Sequence, residues 1–295
     1  MKKKPNFFIV GAPKAGTTSL YYYLEEHPEV YMSVIKETNY FSNTEIREQG
    51  LYYNEEGVVS PGEYEAQFAG VANENAIGEA SVSYLFYPSV PQKIKEFNPG
   101  ARIIIVLRNP IERGFSHYLM DKRLGFVKMS LEDILSQKGK SNSLGLFYQQ
   151  YIGLGLYYEQ VKRYFDNFGR GRVKVFLYED IVSDIDKVVK EIYNFLGVDD
   201  SYIAATDKKH NVFLAPKNPF IEKLYTLKFV RSAIKKIFGE KLQDSIKNLF
   251  FAKEKKPQLD KALENKMIEL FSADIFNTGQ LIDRDLSNWL KKKDE

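Results

Sequence analysis

Phe8–Pro28 reads FIVGAPKAGTTSLYYYLEEHP. An apolar run enters a turn containing two glycines, and the turn enters a helical pattern that stops at a His-Pro pair. Strand, glycine turn and helix in that order expose backbone N–H groups at a helix N-terminus. These groups, with the helix dipole, bind phosphate oxygens. The usual nucleotide loop is G-x-x-x-x-G-K-[ST], with its lysine after the second glycine. Here Thr17 and Thr18 follow Gly16, and the lysine lies inside the loop as Lys14. Gly11 and Gly16 permit the tight backbone, Thr17, Thr18 and Ser19 add hydroxyl donors, and Lys14 places a cation at the crest.

Outward from this loop, Phe7–Val10 is the all-apolar run of a strand buried on both faces. Thr17–Glu26 reads as the helix after it, and Val30–Val34 as a second strand. Residues 42–75 are polar and irregular, with a short helix in EYEAQFAG (Glu63–Gly70). Ala76–Phe86 holds a strand edge and a turn, and Pro88–Ala101 a helix closing at Asn98-Pro99-Gly100. RIIIVLRNP (Arg102–Pro110) has five consecutive apolar residues, four of them β-branched, and is the strongest strand pattern. A helix follows from Ile111, with Pro110 near its first turn. Later segments read as a loose stretch over 130–150, a helix over Tyr157–Phe168, a strand over Arg172–Ile181 and a helix over Asp186–Leu196. A helix pair over Met267–Leu290 ends near Trp289, whose ring reads as a core anchor. The alternation predicts an α/β fold of the P-loop type: three layers, with a central, mostly parallel sheet flanked by helices, in one domain over 1–295.

The chain of 295 residues carries a net charge of only +3, so no global field points to nucleic acid. It has no cysteine, which removes disulfides, thiolate metal sites and cysteine nucleophiles and suits a reducing compartment. The run Phe7–Val10 is too short for a signal peptide, and no apolar run reaches the length of a membrane span. The expectation is a soluble, cytoplasmic protein. Residues 220–256 carry ten Lys/Arg against four Asp/Glu, with Ile221, Leu224, Ile234, Ile237, Ile246 and Leu249 near helical spacing. This segment reads as basic amphipathic helices packed on the sheet domain, or as a face for an anionic acceptor or membrane surface.

A kinase needs carboxylate support for Mg²⁺ and a γ-phosphoryl group. No aspartate ends an apolar strand in the expected way, since the best strand ends in Arg108-Asn109-Pro110. A sulfuryl group carries about one negative charge and makes no such demand. The loop therefore suits a donor whose transferred group is less charged than phosphate. A metal-dependent small-molecule kinase with a variant loop, and a non-catalytic nucleotide-binding protein, remain the alternatives.

Four stretches together resemble a known family. VGAPKAGTTSLYYYLEEHPEV (Val10–Val30) is similar to the 5′-phosphosulfate loop of sulfotransferases that use 3′-phosphoadenosine 5′-phosphosulfate (PAPS). RIIIVLRNPIERGFSHYL (Arg102–Leu119) resembles their 3′-phosphate strand–loop–helix. IKETNYFS (Ile35–Ser42) and the closing LFSADIFNTGQLIDRDLSNWL (Leu270–Leu290) resemble the heparan-sulfate-type and bacterial carbohydrate-type branch.

The resemblance implies PAPS as donor, no metal, and roles for particular residues. Lys14 would contact the 5′-phosphosulfate and its bridging oxygen, with Ala15, Gly16, Thr17, Thr18 and Ser19 supplying donors around it. Arg108 and Ser116 would hold the 3′-phosphate, Arg108 as a rigid fork. Glu37 would be the base that takes the acceptor's proton, with Lys36 beside it pairing with a carboxylate or cradling the sulfuryl group. Glu79 would bind the loop or Arg108, or line the acceptor site. The lysine that often follows this glutamate in the family is Ala80 here, which weighs against glycosaminoglycan-like sulfation. His117 would be structural or cofactor-adjacent, and Asp121, Lys122 and Arg123 would face the loop. A late basic segment would close on the 3′-phosphate, either through Lys253 and Lys255 or through His210, Asn211 or Lys217. The implied acceptor is a carbohydrate, a glycolipid or a small molecule, and the oligomeric state stays open.

Overall fold

The computed structural model describes residues 4–53, 57–138, 141–206, 214–216, 251–253 and 257–291. Five strands form one sheet: β1 (Phe7–Gly11), β2 (Val30–Met32), β3 (Ala76–Ala80), β4 (Arg102–Leu107) and β5 (Val173–Leu177). Their spatial order is β2-β3-β1-β4-β5, and every pairing is parallel. β1 is buried along its whole length, and β4 from Ile103 onward, as their apolar runs predict for inner strands of a covered sheet. Phe7 sits opposite Gly78 in the register, and its ring occupies the space where a side chain at 78 would stand, 2.1 Å from an added Cβ.

Helices flank the sheet. α1 (Thr17–Glu25) follows β1, and α2 (Asn43–Glu48), α3 (Pro61–Ala66) and α4 (Val90–Phe97) come between the next strands. α5 (Pro110–Arg123) leaves β4, and α6 (Leu131–Leu135), α7 (Leu144–Tyr151) and α8 (Tyr157–Phe168) lead on to β5. α9 (Tyr178–Ser183), α10 (Ile185–Leu196) and α11 (Lys261–Ile282) complete the set. α8 packs on β4 and β5 with α4 and α11 against it, while α1 packs against α10. A separate antiparallel pair joins β6 (Leu214–Pro216) to β7 (Phe251–Lys253).

Four sequence expectations change, and the first is the loose 130–150 stretch, which holds α6, capped by Ser130, and most of α7. The strand over Arg172–Ile181 ends at Leu177, because Asp180 accepts the Leu177 N–H at 2.9 Å and opens α9 instead. The irregular 42–75 stretch contains α2 as well as α3, the latter closed by a capping box between Ser60 and Glu63. The closing helix pair is one 22-residue helix that stops where Asp283 turns left-handed at φ 56°, followed by a single 3₁₀ turn over Ser287–Leu290. The basic segment 220–256 lies outside the described residues except for β7.

Chain direction fixes where a ligand sits. The connection from β1 runs toward β2 and that from β4 toward β5, on opposite sides of the β1–β4 pair. In open parallel sheets such a reversal leaves a crevice at the carboxyl ends of the two strands. The loop after β1 and the start of α5 meet there.

Candidate functional site

The β1 loop is pinned from both sides. Ala12 N–H donates to the Val106 carbonyl of β4 at 2.7 Å. A Cβ at Gly11 would lie 2.7 Å from the Leu85 Cβ, so only glycine lets the loop pass the turn after β3. Lys14 adopts φ 66°, and Gly16, the N-cap of α1, adopts φ 92° with no side-chain cap. The first N–H groups of an uncapped helix are left for a ligand or for water. No internal hydrogen bond occupies the hydroxyls of Thr18 or Ser116 among the described residues. Thr17 and Ala15 are buried beneath the loop, and Ser19 is half-buried.

Arg108 closes the crevice from the β4 side. Its Nη1 donates to the Lys14 carbonyl at 3.0 Å, and its Nη2 pairs with Glu112 Oε2 at 3.0 Å. Its guanidinium lies 4.4 Å from the centre of the Tyr178 ring, a cation–π contact worth roughly 0.5–2 kcal/mol. Tyr157 donates its hydroxyl to the Arg108 carbonyl at 2.9 Å. Arg108 Nε is buried and has no hydrogen-bond partner among the described residues. The Ala15 N–H is taken by the Ala12 carbonyl at 3.3 Å, which leaves the N–H groups of Gly16, Thr17 and Thr18 beside the orphaned guanidinium donor, an arrangement that suits an anion.

Lys14 is the electrostatic centre. Its Nζ lies 3.5 Å from Met120 Sδ, a weak acceptor, and pairs with no carboxylate among the described residues. Burial, together with the positive charges of Arg123, Arg108 and Arg113, lowers its ammonium to about 8, with Asp121 opposing them. The charges of Arg108, Arg113 and Arg123 thus all act on Lys14.

Glu37 and Lys36 form a direct ion pair. Glu37 stands in the left-handed region at φ 65°. Its N–H donates to Ala80 O at 2.9 Å, and its Oε2 accepts the Val82 N–H at 2.8 Å. The Val82 carbonyl in turn lies 3.2 Å from where a Gly11 Cβ would be. One short turn after β3 thus touches both the donor loop and the candidate base.

Glu79 departs from the substrate-contact role. It is fully buried, and its carboxylate accepts the hydroxyls of Thr38 at 2.5 Å, Tyr64 at 2.7 Å and Ser81 at 2.7 Å. It has no surface to present to an acceptor. It ties the segment after β2, α3 and the end of β3 into one piece, and burial raises its pKa. Its partner set includes neither Arg108 nor the loop. Of the late basic residues, Lys255, His210, Asn211, Lys217 and the side chain of Lys253 lie outside the described residues.

Several contributing residues carry no motif. Tyr178 and Tyr157 position Arg108 through its guanidinium and its carbonyl. Asp121 is buried and accepts the hydroxyls of Tyr52 at 2.7 Å, Tyr53 at 2.6 Å and Tyr151 at 2.8 Å. Arg113, also buried, donates to the Gln150 and Tyr151 carbonyls at 2.9 and 2.6 Å. Tyr178 is the one that strand logic can find, since it leaves the carboxyl end of a parallel strand.

The comparisons with known proteins agree with this geometry. The sulfotransferase domain model matches residues 4–273. A crystal structure of a sulfotransferase from Alicyclobacillus acidocaldarius superposes with a TM-score of 0.72 at 31% identity, covering 98% of this chain and all of that one. Human carbohydrate sulfotransferase 15 is 27% identical over 66% of this chain and 44% of its own length. The membrane-associated sulfotransferase kil1 of Dictyostelium discoideum is 32% identical over 39% of this chain and 22% of its own length. The chain thus spans less than half the length of these curated relatives. No helix among the described residues is long and apolar enough to cross a membrane. With the loop, the Arg108 crevice and a domain match over most of its length, the chain belongs to the sulfotransferase domain family.

Proposed function

We propose that the protein moves a sulfuryl group from PAPS to a hydroxyl or amine of an acceptor, by in-line transfer. The observation that carries this reading is the bond from Arg108 to the Lys14 carbonyl, with Arg108 Nε beside it unpartnered among the described residues. It joins a loop suited to a 5′-phosphosulfate to an arginine suited to a 3′-phosphate, and ATP lacks the 3′-phosphate.

In the proposed reaction the acceptor oxygen or nitrogen forms a bond to sulfur as the bond from sulfur to the bridging oxygen breaks. Lys14 and the N–H groups of Gly16, Thr17 and Thr18 offset the charge that develops on the departing phosphate oxygen, while Ala15, whose own N–H is held by the Ala12 carbonyl, fixes the loop. Arg108 and Ser116 hold the 3′-phosphate. Glu37 takes the acceptor's proton at Oε1, the oxygen that Lys36 now covers, so Lys36 has to shift toward the sulfuryl oxygens. The acceptor is a carbohydrate or glycolipid, in keeping with the carbohydrate sulfotransferase relatives. The buried Glu79 and the Ala80 beside it leave that position without a cation for a polyanionic chain. A chain without cysteine suits the cytoplasm. Residues 220–256, with their basic composition, are proposed to meet an anionic acceptor or membrane surface.

The test is incubation with sulfur-labelled PAPS and a panel of sugars, glycolipids and phenols, with Mg²⁺ and ATP in a parallel arm. Label transfer without added metal is expected. Failure to bind PAPS or its desulfated product PAP, together with Mg²⁺-dependent ATP consumption, would establish the kinase alternative instead.

A further inference from the structure

The fork of Arg108 carries an anion of the protein's own. Nη1 donates to the Lys14 carbonyl, and Nη2 is held at 3.0 Å by Glu112 Oε2. In a planar guanidinium Nε–H and one Nη2–H point the same way, and a phosphate taken bidentately can lie along that edge. Glu112 stands at the Nη2 end of it. Nε, at the other end, is buried and has no partner among the described residues. The edge is therefore covered but only half satisfied.

Glu112 lies in the first turn of α5, and Ser116 follows one turn later on the same helix face. The carboxylate is thus interposed between the two residues assigned to the 3′-phosphate. A carboxylate and a phosphate dianion on one fork repel each other, so the two cannot share it without cost. Arg108 keeps other supports when Glu112 lets go. Its guanidinium still has the Lys14 carbonyl and the Tyr178 ring, and Tyr157 still holds its backbone carbonyl. Glu112 is 28% exposed against 15% for Arg108, so its carboxylate has solvent to turn into.

We propose that Glu112 is a specificity-determining residue of the donor site: an exchangeable counter-anion that gives up the Nε–Nη2 edge of Arg108 to the incoming 3′-phosphate. It competes with the 3′-phosphate alone, and so sets how tightly the desulfated product PAP is retained. It touches neither the sulfuryl group nor the acceptor. The inference rests on the PAPS reading of the site, with Arg108 as the 3′-phosphate ligand.

The experiment measures PAP and AMP binding by calorimetry, since AMP has the 5′-phosphate but lacks the 3′-phosphate. Glu112→Gln keeps the shape and removes the charge. It should bind PAP up to about fivefold more tightly than the wild type, the worth of a partly exposed ion pair, and AMP within about twofold. Glu112→Asp draws the carboxylate back by one methylene and should tighten PAP by less. A folded Glu112→Gln protein that binds PAP no more tightly than the wild type overturns the proposal, because Glu112 is then a fixed support of Arg108. Equal tightening of PAP and AMP also overturns it, since that marks a general field effect on the crevice. If Glu112→Gln does not fold, an unchanged PAP-to-AMP ratio in Glu112→Asp overturns it. A wild type that binds PAP no more tightly than AMP removes the 3′-phosphate assignment and this proposal with it. One that binds neither defeats the PAPS reading itself, a distinguishable result.

Discussion

The guanidinium of Arg108 donates to the backbone carbonyl of Lys14 across 3.0 Å, joining two motifs 94 residues apart in the chain. The two ends of the donor are therefore read by one connected piece of structure. Arg108→Ala removes the fork, the Tyr178 contact and the support of the loop together. Donor affinity should fall about 100-fold, near 3 kcal/mol, since hydrogen bonds to charged groups are worth about 1.5–3 kcal/mol each. Arg108→Lys should recover only a small part, because an ammonium cannot reach the carbonyl, Glu112 and a phosphate at once. Equilibrium PAP binding to the two variants checks both statements.

Glu37→Gln should leave PAP binding within about twofold of the wild type and lower the transfer rate by about 10²–10⁴-fold, the usual worth of a general base. The amide still accepts the Val82 N–H, so the left-handed backbone at residue 37 keeps its anchor. A variant that transfers sulfate at the wild-type rate would remove Glu37 from the mechanism.

kcat/KM for PAPS should decline on the alkaline side with a midpoint near pH 8, since this ratio reports the free enzyme. The sign is direct: Lys14 works as a cation, its pKa is lowered to about 8, and charge is lost as pH rises through that value. Lys14→Arg should be slower at pH 7, because the longer group fits the crest poorly. It should nonetheless lose the alkaline limb, as arginine keeps its proton throughout the range. A pH–rate series on both proteins decides this.

Glu79 predicts a loss of stability rather than of chemistry. Glu79→Ala strands the hydroxyls of Thr38, Tyr64 and Ser81 in the core and opens a cavity. The expected cost is about 3–5 kcal/mol in denaturant unfolding. PAP binding by the folded fraction should be little changed.

The parts of the molecule legible in its sequence are those set by neighbours along the chain. β1 and β4 announce themselves as apolar runs, and Gly11, Gly16 and Pro110 mark the turns and helix starts after them. Lys14, Arg108 and Ser116 come with those runs, and the structure brings the first two into contact. The rest depends on distant partners. Nothing near Glu79 in the sequence shows that three hydroxyls from residues 38, 64 and 81 will enclose it. Tyr52, Tyr53 and Tyr151 are three among 20 tyrosines until the fold gathers them on Asp121. The helix at Tyr178 is hidden because it follows Leu177 with no glycine, proline or polar linker between, and only the Asp180 cap ends the strand.

The tryptophan at the far end of the chain reaches back to the same crevice. Trp289 is buried, its indole N–H donates to Glu179 at 2.9 Å, and its carbonyl accepts the side chain of Asn109 at 3.1 Å. Asn109 caps α5 immediately after Arg108. The turn that anchors the neighbour of Arg108 thus lies 180 residues further along the chain. A chain cut before residue 289 keeps the phosphate loop and Arg108 but loses this clasp. Such a truncation should retain PAP more weakly than the intact chain even where the sheet still folds.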